Sequence, residues 1–211
     1  MATQEVTDEL PIGRLEAFSD GVFAIAITLL VLELAISHSA GPHLLRAILD
    51  QWPSYLAYVT SFFTIGVIWL KHAAITNALR AGDATLYRLN LVVLFVVALL
   101  PYPTKIVGEF IGERSPERVA VVFYGLALLV LDLAMTAFTR YGAQRRQLVK
   151  DDVAEERIEA AVGQQPSYAF YVGAIAVGYF FPTAGVILYL VIAIAVGVPV
   201  RTLRRVLLRR G

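Results

Sequence analysis

Cysteine is absent from the sequence, and charged residues are scarce. Without cysteine the chain can form neither a disulfide nor a thiolate metal site. Asp, Glu, Lys and Arg supply 17% of the 211 residues, whereas hydrophobic residues supply 58% and the mean hydropathy is +0.67. A soluble domain is about one-quarter charged. The apolar surplus therefore indicates an integral membrane protein, whose solvent is the lipid bilayer.

Sequence signatures of catalysis are missing as well. The chain has no His-Glu-x-x-His motif, no Gly-x-Ser-x-Gly motif and no second carboxylate cluster that could share acid–base work. The N-terminal stretch MATQEVTDELP is acidic, whereas a secretory signal begins with a basic region. We therefore expect no enzyme, no cofactor, no nucleic-acid partner and no cleaved signal.

Six apolar segments approach the length of about 20 residues that spans the hydrocarbon core. They lie at about 15–37, 53–76, 86–108, 118–139, 166–182 and 184–200. The third ends in Pro101 and Pro103, which are expected to kink or end its helix. The sequence thus predicts an all-α integral membrane protein with six transmembrane helices, in one domain that covers residues 1–211.

The basic residues favour one orientation of these segments. With the N-terminus in the cytoplasm, 14 of the 18 Lys and Arg residues fall on the cytoplasmic side. The four external ones are Arg46, Lys105, Arg114 and Arg118. This positive-inside bias predicts a multi-pass protein of the cell membrane with both termini in the cytoplasm. Residues 140–165 are interpreted as a cytoplasmic linker or short surface helix, and 201–211 as a basic C-terminal tail.

The first segment carries charge inside an apolar run. Asp20 lies near its start and Glu33 near its end. Ionisable groups submerged in a membrane face protein or water and are candidates for function. Glu33 could concentrate cations at an external mouth. Asp132, in the fourth segment, is interpreted as structural, satisfied by Arg140 or by a neighbouring helix.

Helical periodicity divides the first segment into two faces. One face holds Gly21, Ile25, Thr28 and Leu32 in file, with Leu29 at its edge and Arg14 at its base. Asp20 projects about 100° away from that file. The file could line a pore, or it could pack against lipid or neighbouring helices.

Polar residues of three segments are expected to meet around Asp20. The second segment returns to the cytoplasmic side with Trp69 and His72 on one helical face, and the third begins there with Asn90. Arg14, Ser19 and Asp20 can converge with them. We interpret the group as a structural clasp that fixes the first helix. Proton or ligand handling and an enzyme or metal site remain alternatives, although His38 and His43 lie on the external side and cannot join His72.

These motifs resemble the transmembrane protein 175 family, the lysosomal potassium channel and its prokaryotic relatives. The family signature R/K-x-x-x-F-S-D is matched by Arg14, Phe18, Ser19 and Asp20, and GVFAIAITLLVLEL follows it. Trp69-x-x-His72, Asn90-Leu91 and LLPYPT at 99–104 also resemble the family. The likeness covers about the first 110 residues; the later helices match in length and hydropathy. One departure is Ala73, where relatives often have a second histidine.

The resemblance implies a six-helix subunit that assembles as a homotetramer around a central pore lined by the first helices, without a re-entrant loop or carbonyl filter. Its narrow part would be formed by Ile25, Thr28 and Leu32, with Leu29 as an alternate. The signature residues Arg14, Phe18, Ser19 and Asp20 would hold the helix in place through Trp69 and His72. No resident metal is implied, only permeant potassium near the narrow part.

The periodicity and the resemblance together predict a potassium-selective cation channel with a hydrophobic constriction. Rings of Ile25 and Leu32 would close the pore by dewetting, and Thr28 hydroxyls would contribute to potassium preference. Two rival hypotheses stay open. A proton-coupled secondary transporter would use Asp20 and His72 as a proton couple, and a non-conducting membrane scaffold would explain every hydropathic feature.

Overall fold

Helices account for nearly all of the chain that the computed structural model describes, which is residues 10–34, 43–113, 116–151 and 168–197. Two short 3-10 turns, Leu30–Glu33 and Arg146–Leu148, extend the ends of two helices. In chain order the helices are α1 (Ile12–Leu29), α2 (Leu44–Asp50), α3 (Trp52–Thr76), α4 (Ala84–Leu99), α5 (Pro101–Phe110), α6 (Pro116–Gln144), α7 (Tyr168–Phe180) and α8 (Pro182–Gly197).

Proline marks the beginning of several helices. Pro53, Pro101, Pro116 and Pro182 each lie at the first or second position of their helix. Proline suits these positions because the first helical N–H groups have no partner within the helix and its fixed φ is already helical. The prolines thus set where α3, α5, α6 and α8 begin.

Four helical spans are long and apolar enough to cross a membrane. They are Ile12–Glu33, Trp52–Thr76, Ala84–Phe110 and Pro116–Gln144. The apolar helices α7 and α8 have 13 and 16 residues, fewer than the roughly 20 that span the hydrocarbon. Length and composition therefore support an all-helical membrane protein, but the predicted count of six transmembrane helices is not confirmed.

Two predicted boundaries need correction. The first helix was expected over 15–37, but regular α-helix ends at Leu29 and a 3-10 turn continues to Glu33; residues 35–37 lie outside the described residues. The linker was expected from residue 140, but α6 continues to Gln144. The extension is held because Tyr141 Oη donates a hydrogen bond to Asp83 Oδ2 at 2.7 Å. Residues 152–165 and the tail 201–211 lie outside the described residues.

The third predicted helix is broken where its prolines indicated. α4 ends at Leu99, and α5 begins at Pro101. Buried hydroxyl groups cross-link this break to its neighbours: Ser61 Oγ of α3 lies 2.7 Å from both Thr104 Oγ1 of α5 and Tyr124 Oη of α6. The hydroxyls therefore satisfy one another in an apolar interior, where an unpaired polar group would be costly.

The short helix α2 was not predicted. It has seven residues, too few for an apolar run of spanning length, and none of its side chains is buried. It lies directly before α3 and is joined to it through Gln51. α2 is therefore a surface element at the beginning of the second long helix.

Glycines allow α7 and α8 to pack closely. A Cβ atom placed on Gly185 of α8 would overlap the Cα atom of Gly178 of α7. A Cβ on Gly125 of α6 would overlap Tyr189 Oη of α8. No side chain fits at these contacts, so the backbones of the two short helices touch each other at Gly178 and Gly185, and the Tyr189 side chain packs onto α6 at Gly125.

The loop between α3 and α4, residues 77–83, joins two distant parts of the chain. Its Gly82 exchanges backbone hydrogen bonds of 2.7 and 2.9 Å with Leu10, which precedes α1. Its Arg80 N donates to Leu148 O at 2.8 Å, and Lys150 N donates back to Ala78 O at 3.0 Å. The beginning of α1 and the segment after α6 are therefore both attached to this one loop.

Asp132 of α6 is buried, with 4% of its surface exposed. Its charge acts on Lys71 of α3 and on Tyr171 of α7. The structural interpretation of this residue stays a prediction.

Candidate functional site

Helix α1 presents one stripe of side chains to the rest of the subunit. The stripe repeats every three or four residues and consists of Leu15, Ser19, Phe23, Ala26 and Leu30, all buried. It packs against α3 and α4. This spacing is that of a helix with one interior face, so the subunit fixes the rotation of α1 about its own axis.

The opposite face of α1 is exposed and largely apolar. Ile25 is 61% exposed, Leu32 68% and Leu29 41%, and Thr28 lies between them, also exposed. Only 28% of the α1 span is buried within the subunit, against 39% to 50% for the other three long spans. The predicted file is therefore directed away from the subunit's own core, towards lipid or another copy of the chain.

The hydroxyl group on this face has a defined orientation. Thr28 Oγ1 donates its proton to the backbone oxygen of Ile25 at 2.8 Å. Since a hydroxyl has one proton and two acceptor lone pairs, the oxygen keeps its lone pairs for another partner. The exposed face thus offers an oxygen ligand flanked by two bulky aliphatic side chains, Ile25 and Leu32.

Three polar side chains form a buried network between α1, α3 and α4. Asn90 Nδ2 donates to Ser19 Oγ at 3.0 Å, and Ser19 Oγ donates to Leu15 O at 2.7 Å. His72 Nε2 lies 2.8 Å from Asn90 Oδ1. Because an amide oxygen only accepts hydrogen bonds, Nε2 carries the imidazole proton. The structure thus joins three of the predicted clasp residues, one from each helix.

Two aromatic rings enclose His72. The Phe138 ring of α6 stacks on the imidazole with centroids 5.1 Å apart and planes at 7°, and Phe23 of α1 approaches at 5.5 Å. Sequence reasoning missed both residues. Phe23 follows Ser19 by four positions and so carried a periodic signal, whereas nothing in the sequence linked Phe138 to His72.

The remaining clasp residues lie at the surface of the subunit. Trp69 Nε1 donates to Asp20 Oδ1 at 2.8 Å, in an exposed contact between α3 and α1. Phe18 is 58% exposed, and Arg14 is also exposed. Neither side chain is joined to the buried network within the described subunit. Asp20 and Trp69 are thus paired with each other, while Arg14 and Phe18 extend outwards on the side of the Ile25 file.

The far end of α1 holds an ion pair that sequence reasoning also missed. Lys105 Nζ of α5 lies 3.8 Å from Glu33 Oε2 and 3.9 Å from Glu109 Oε1. The sequence does not predict this partner of Glu33, because it does not reveal that α5 packs against the 3-10 turn at the end of α1. The pair brings opposite charges to the end of the exposed file.

Within the ranges that the structure describes, no three His, Asp or Glu side chains lie close enough to hold a metal ion. What the geometry provides is an apolar helix face with one hydroxyl oxygen, that of Thr28, held in place by a buried polar network on its other side. Such a face suits a wall along which ions or lipid chains pass.

Comparisons with known proteins point to one family. A family profile described as endosomal/lysosomal potassium channel TMEM175 matches residues 14–101. A protein of Streptomyces collinus named as a potassium channel is 46% identical over 126 residues, which cover 59% of this chain and 61% of that protein. A protein of Chamaesiphon minutus, also named as a potassium channel, is 33% identical over 165 residues, covering 76% of this chain and 80% of that protein.

A solved structure agrees with these matches. The crystal structure of a lysosomal potassium-selective channel TMEM175 homolog from Chamaesiphon minutus matches with a TM-score of 0.78 and 32% identity, over 88% of this chain and 95% of that chain. The family profile covers both faces of α1 and all the clasp residues. The similarity in sequence and in fold extends well beyond that shared region, and the chain belongs to the TMEM175 family.

Proposed function

We propose that the chain is the subunit of a potassium-selective cation channel in which α1 of each copy lines a central pore. The observation that carries this proposal is the exposed file of Ile25, Thr28 and Leu32 on a helix whose rotation is fixed by its buried face. Membership of a family with relatives named as potassium channels supports it. Four copies arranged around an axis would turn each exposed residue into a ring.

Each ring would have a separate task in conduction. Rings of Ile25 and Leu32 form an apolar constriction that closes by losing its water, with Leu29 as an alternate in the middle layer. The Thr28 ring lies between them. Its oxygens, which have already donated their protons to Ile25 O, would replace part of the hydration shell of a permeant potassium ion.

The clasp would keep these rings in register. A ring narrows or widens if α1 rotates, and the buried bonds among Ser19, Asn90 and His72 resist that rotation. Asp20 and Trp69 add a second tie on the exposed edge. Arg14 and Phe18 extend towards the same side as the pore file, so in the homotetramer they would lie near the neighbouring copy.

The proposed channel lies in the cell membrane with both termini in the cytoplasm. The four long spans and the hairpin of α7 and α8 then make six crossings, the last two by shorter helices in a locally thinned bilayer. The clasp lies in the cytoplasmic half of the membrane, and Glu33 lies towards the outside. The concentration of basic residues on the cytoplasmic side supports this orientation.

Potassium flux from liposomes tests the hydrophobic constriction. We expect Ile25→Asn to release potassium faster than the wild-type protein, because a polar ring holds water where an isoleucine ring excludes it. Val31→Asn is the matched control: Val31 is 51% exposed in the 3-10 turn that follows α1 but lies off the file, so its flux should stay at the wild-type rate.

The same assay separates the channel from its rivals. Flux from Ile25→Asn no faster than from wild type would contradict a constriction at this position. Saturable uptake that requires a pH gradient would indicate a transporter, and an absence of flux in every variant would indicate a scaffold. Replacing external potassium by sodium then measures selectivity, which we expect Thr28→Val to reduce and Thr28→Ser to retain.

A further inference from the structure

Lys105 occupies a position between two acidic side chains at the end of the proposed pore helix. Its Nζ atom lies 3.8 Å from Glu33 and 3.9 Å from Glu109, and its side chain is 50% exposed. Glu109 is one helical turn further along α5, whereas Glu33 belongs to the turn that ends α1. The ammonium group therefore links α5 electrostatically to the pore helix.

Glu33 is the ionisable residue next to the proposed constriction. It directly follows Leu32, the last residue of the file, and its side chain is 24% exposed. The 3-10 turn that contains it packs against both α3 and α5. A carboxylate at this place would attract cations to the mouth of a pore lined by α1, but in this structure an ammonium group lies beside it.

We propose that Lys105 limits the entry of potassium by offsetting the charge of Glu33 at this mouth. The inference rests on the proposed channel function and deepens it by naming the residue that sets ion entry. One lysine and two glutamates give each copy a local charge of −1. Without the lysine the local charge is −2, so in the homotetramer the mouth changes from −4 to −8.

Screening by salt gives the proposal a specific signature. Charges at an exposed mouth act on ions over about a Debye length, which is about 30 Å at 0.01 M salt and about 3 Å at 1 M. A change in mouth charge therefore alters conduction strongly in dilute potassium and hardly at all in concentrated potassium. A purely structural role of Lys105 would not depend on salt in this way.

Conductance of the full-length channel in planar bilayers tests the inference. With potassium chloride as the only electrolyte, we expect Lys105→Gln to raise the conductance at about 0.01 M by roughly tenfold, the lower end of the range by which charged clefts raise on-rates. At about 1 M the conductances of variant and wild type should coincide. Glu33→Gln should change conductance in the opposite direction at low salt.

Three further variants identify the cause of the increase. Lys105→Arg keeps the charge and should behave as wild type. Arg46→Gln removes an exposed basic residue whose partner is Asp50 of α2, at 3.8 Å, and should leave conductance unchanged. The double variant Lys105→Gln with Glu33→Gln should lose most of the increase, because the two residues act on each other.

Several results would overturn the inference. It fails if Lys105→Gln conducts like wild type at low salt, if its increase persists at 1 M, or if the double variant keeps the full increase. These results would leave the channel proposal intact as long as wild type conducts potassium. A wild-type protein that conducts no ions would overturn the channel proposal itself and this inference with it.

Discussion

Asn90 joins α1 and α3 through one buried side chain on α4. Its amide donates to Ser19 of α1 and accepts from His72 of α3, and its own side chain is only 3% exposed. An amide has both a donor and an acceptor on one planar group. One side chain can therefore bond to two helices at once, which neither an aliphatic side chain nor an ionised carboxylate could do in this place.

Replacing Asn90 by alanine should destabilise the subunit. The change leaves His72 Nε2–H buried without its acceptor, which costs about 1–3 kcal/mol. We expect the midpoint of thermal unfolding in detergent to fall. Asn77→Ala is the control, since that side chain is exposed at the end of α3 and its midpoint should match wild type; an equal midpoint for Asn90→Ala would show that the network contributes no stability.

At the residue scale, the sequence predicted polar partners better than aromatic ones. Ser19, His72 and Asn90 were expected together because a polar group inside an apolar run needs a hydrogen-bond partner, and few polar groups lie at the same depth. Phe138 could not be found in this way. An aromatic side chain on a membrane helix can face either lipid or protein. The sequence therefore does not show that Phe138 is buried against His72.

The hairpin of α7 and α8 is held by close backbone contact more than by side chains. A Cβ atom on Gly185 would overlap the Gly178 backbone, and one on Gly178 would lie 2.8 Å from the Val121 side chain of α6. Small residues of this kind let membrane helices approach, and the approach increases van der Waals contact where the hydrophobic effect between helices is absent. Close contact thereby stabilises a pair of helices that are short, with 13 and 16 residues.

Replacing Gly185 by alanine should disrupt the hairpin. The new methyl group would overlap the Gly178 backbone, and overpacking of this kind costs about 1–3 kcal/mol. Gly173→Ala is the matched control on α7, because a Cβ there meets no atom within 4 Å and alanine favours a helix. Thermal unfolding in detergent should show a lower midpoint for Gly185→Ala only; equal midpoints for the two variants would refute the close contact.

At the scale of helices, the sequence predicted spans more reliably than their ends. The break at Leu100 followed from Pro101, because proline lacks the N–H that continues a helix. The 3-10 turn after Leu29 and the extension of α6 to Gln144 depend on contacts with other helices, such as the bond from Tyr141 to Asp83. Periodicity does not encode those contacts, and the same reason explains why the pairing of Lys105 with Glu33 was missed.

At the scale of the whole molecule, the exposed apolar face of α1 needs a covering. Lipid or another copy could supply it, and the two differ in what lies next to Ile25. The absence of cysteine from the chain makes the difference measurable, because a single introduced cysteine can react only with its counterpart in another copy.

Oxidative cross-linking should distinguish the pore file from a lipid-facing surface. We expect Ile25→Cys to form disulfide-linked dimers in native membranes, because residues that form a constriction approach one another within the Cβ separation of about 3.8 Å that a disulfide needs. Ile187→Cys is the matched control on α8, where the side chain is 46% exposed, and it should remain monomeric on a non-reducing gel. Cross-linking at position 187 but not at 25 would contradict a pore lined by α1.

The loop of residues 77–83 gives this arrangement a mechanical consequence. Its backbone bonds to Leu10 and to Leu148 connect the stretch that enters α1 with the stretch that leaves α6. A displacement of the polypeptide after Lys150 is therefore transmitted through hydrogen-bonded backbone to the first turn of α1, without passing through lipid or flexible side chains. In the proposed channel, tension on the segment after α6 would act directly on the base of the helix that lines the pore.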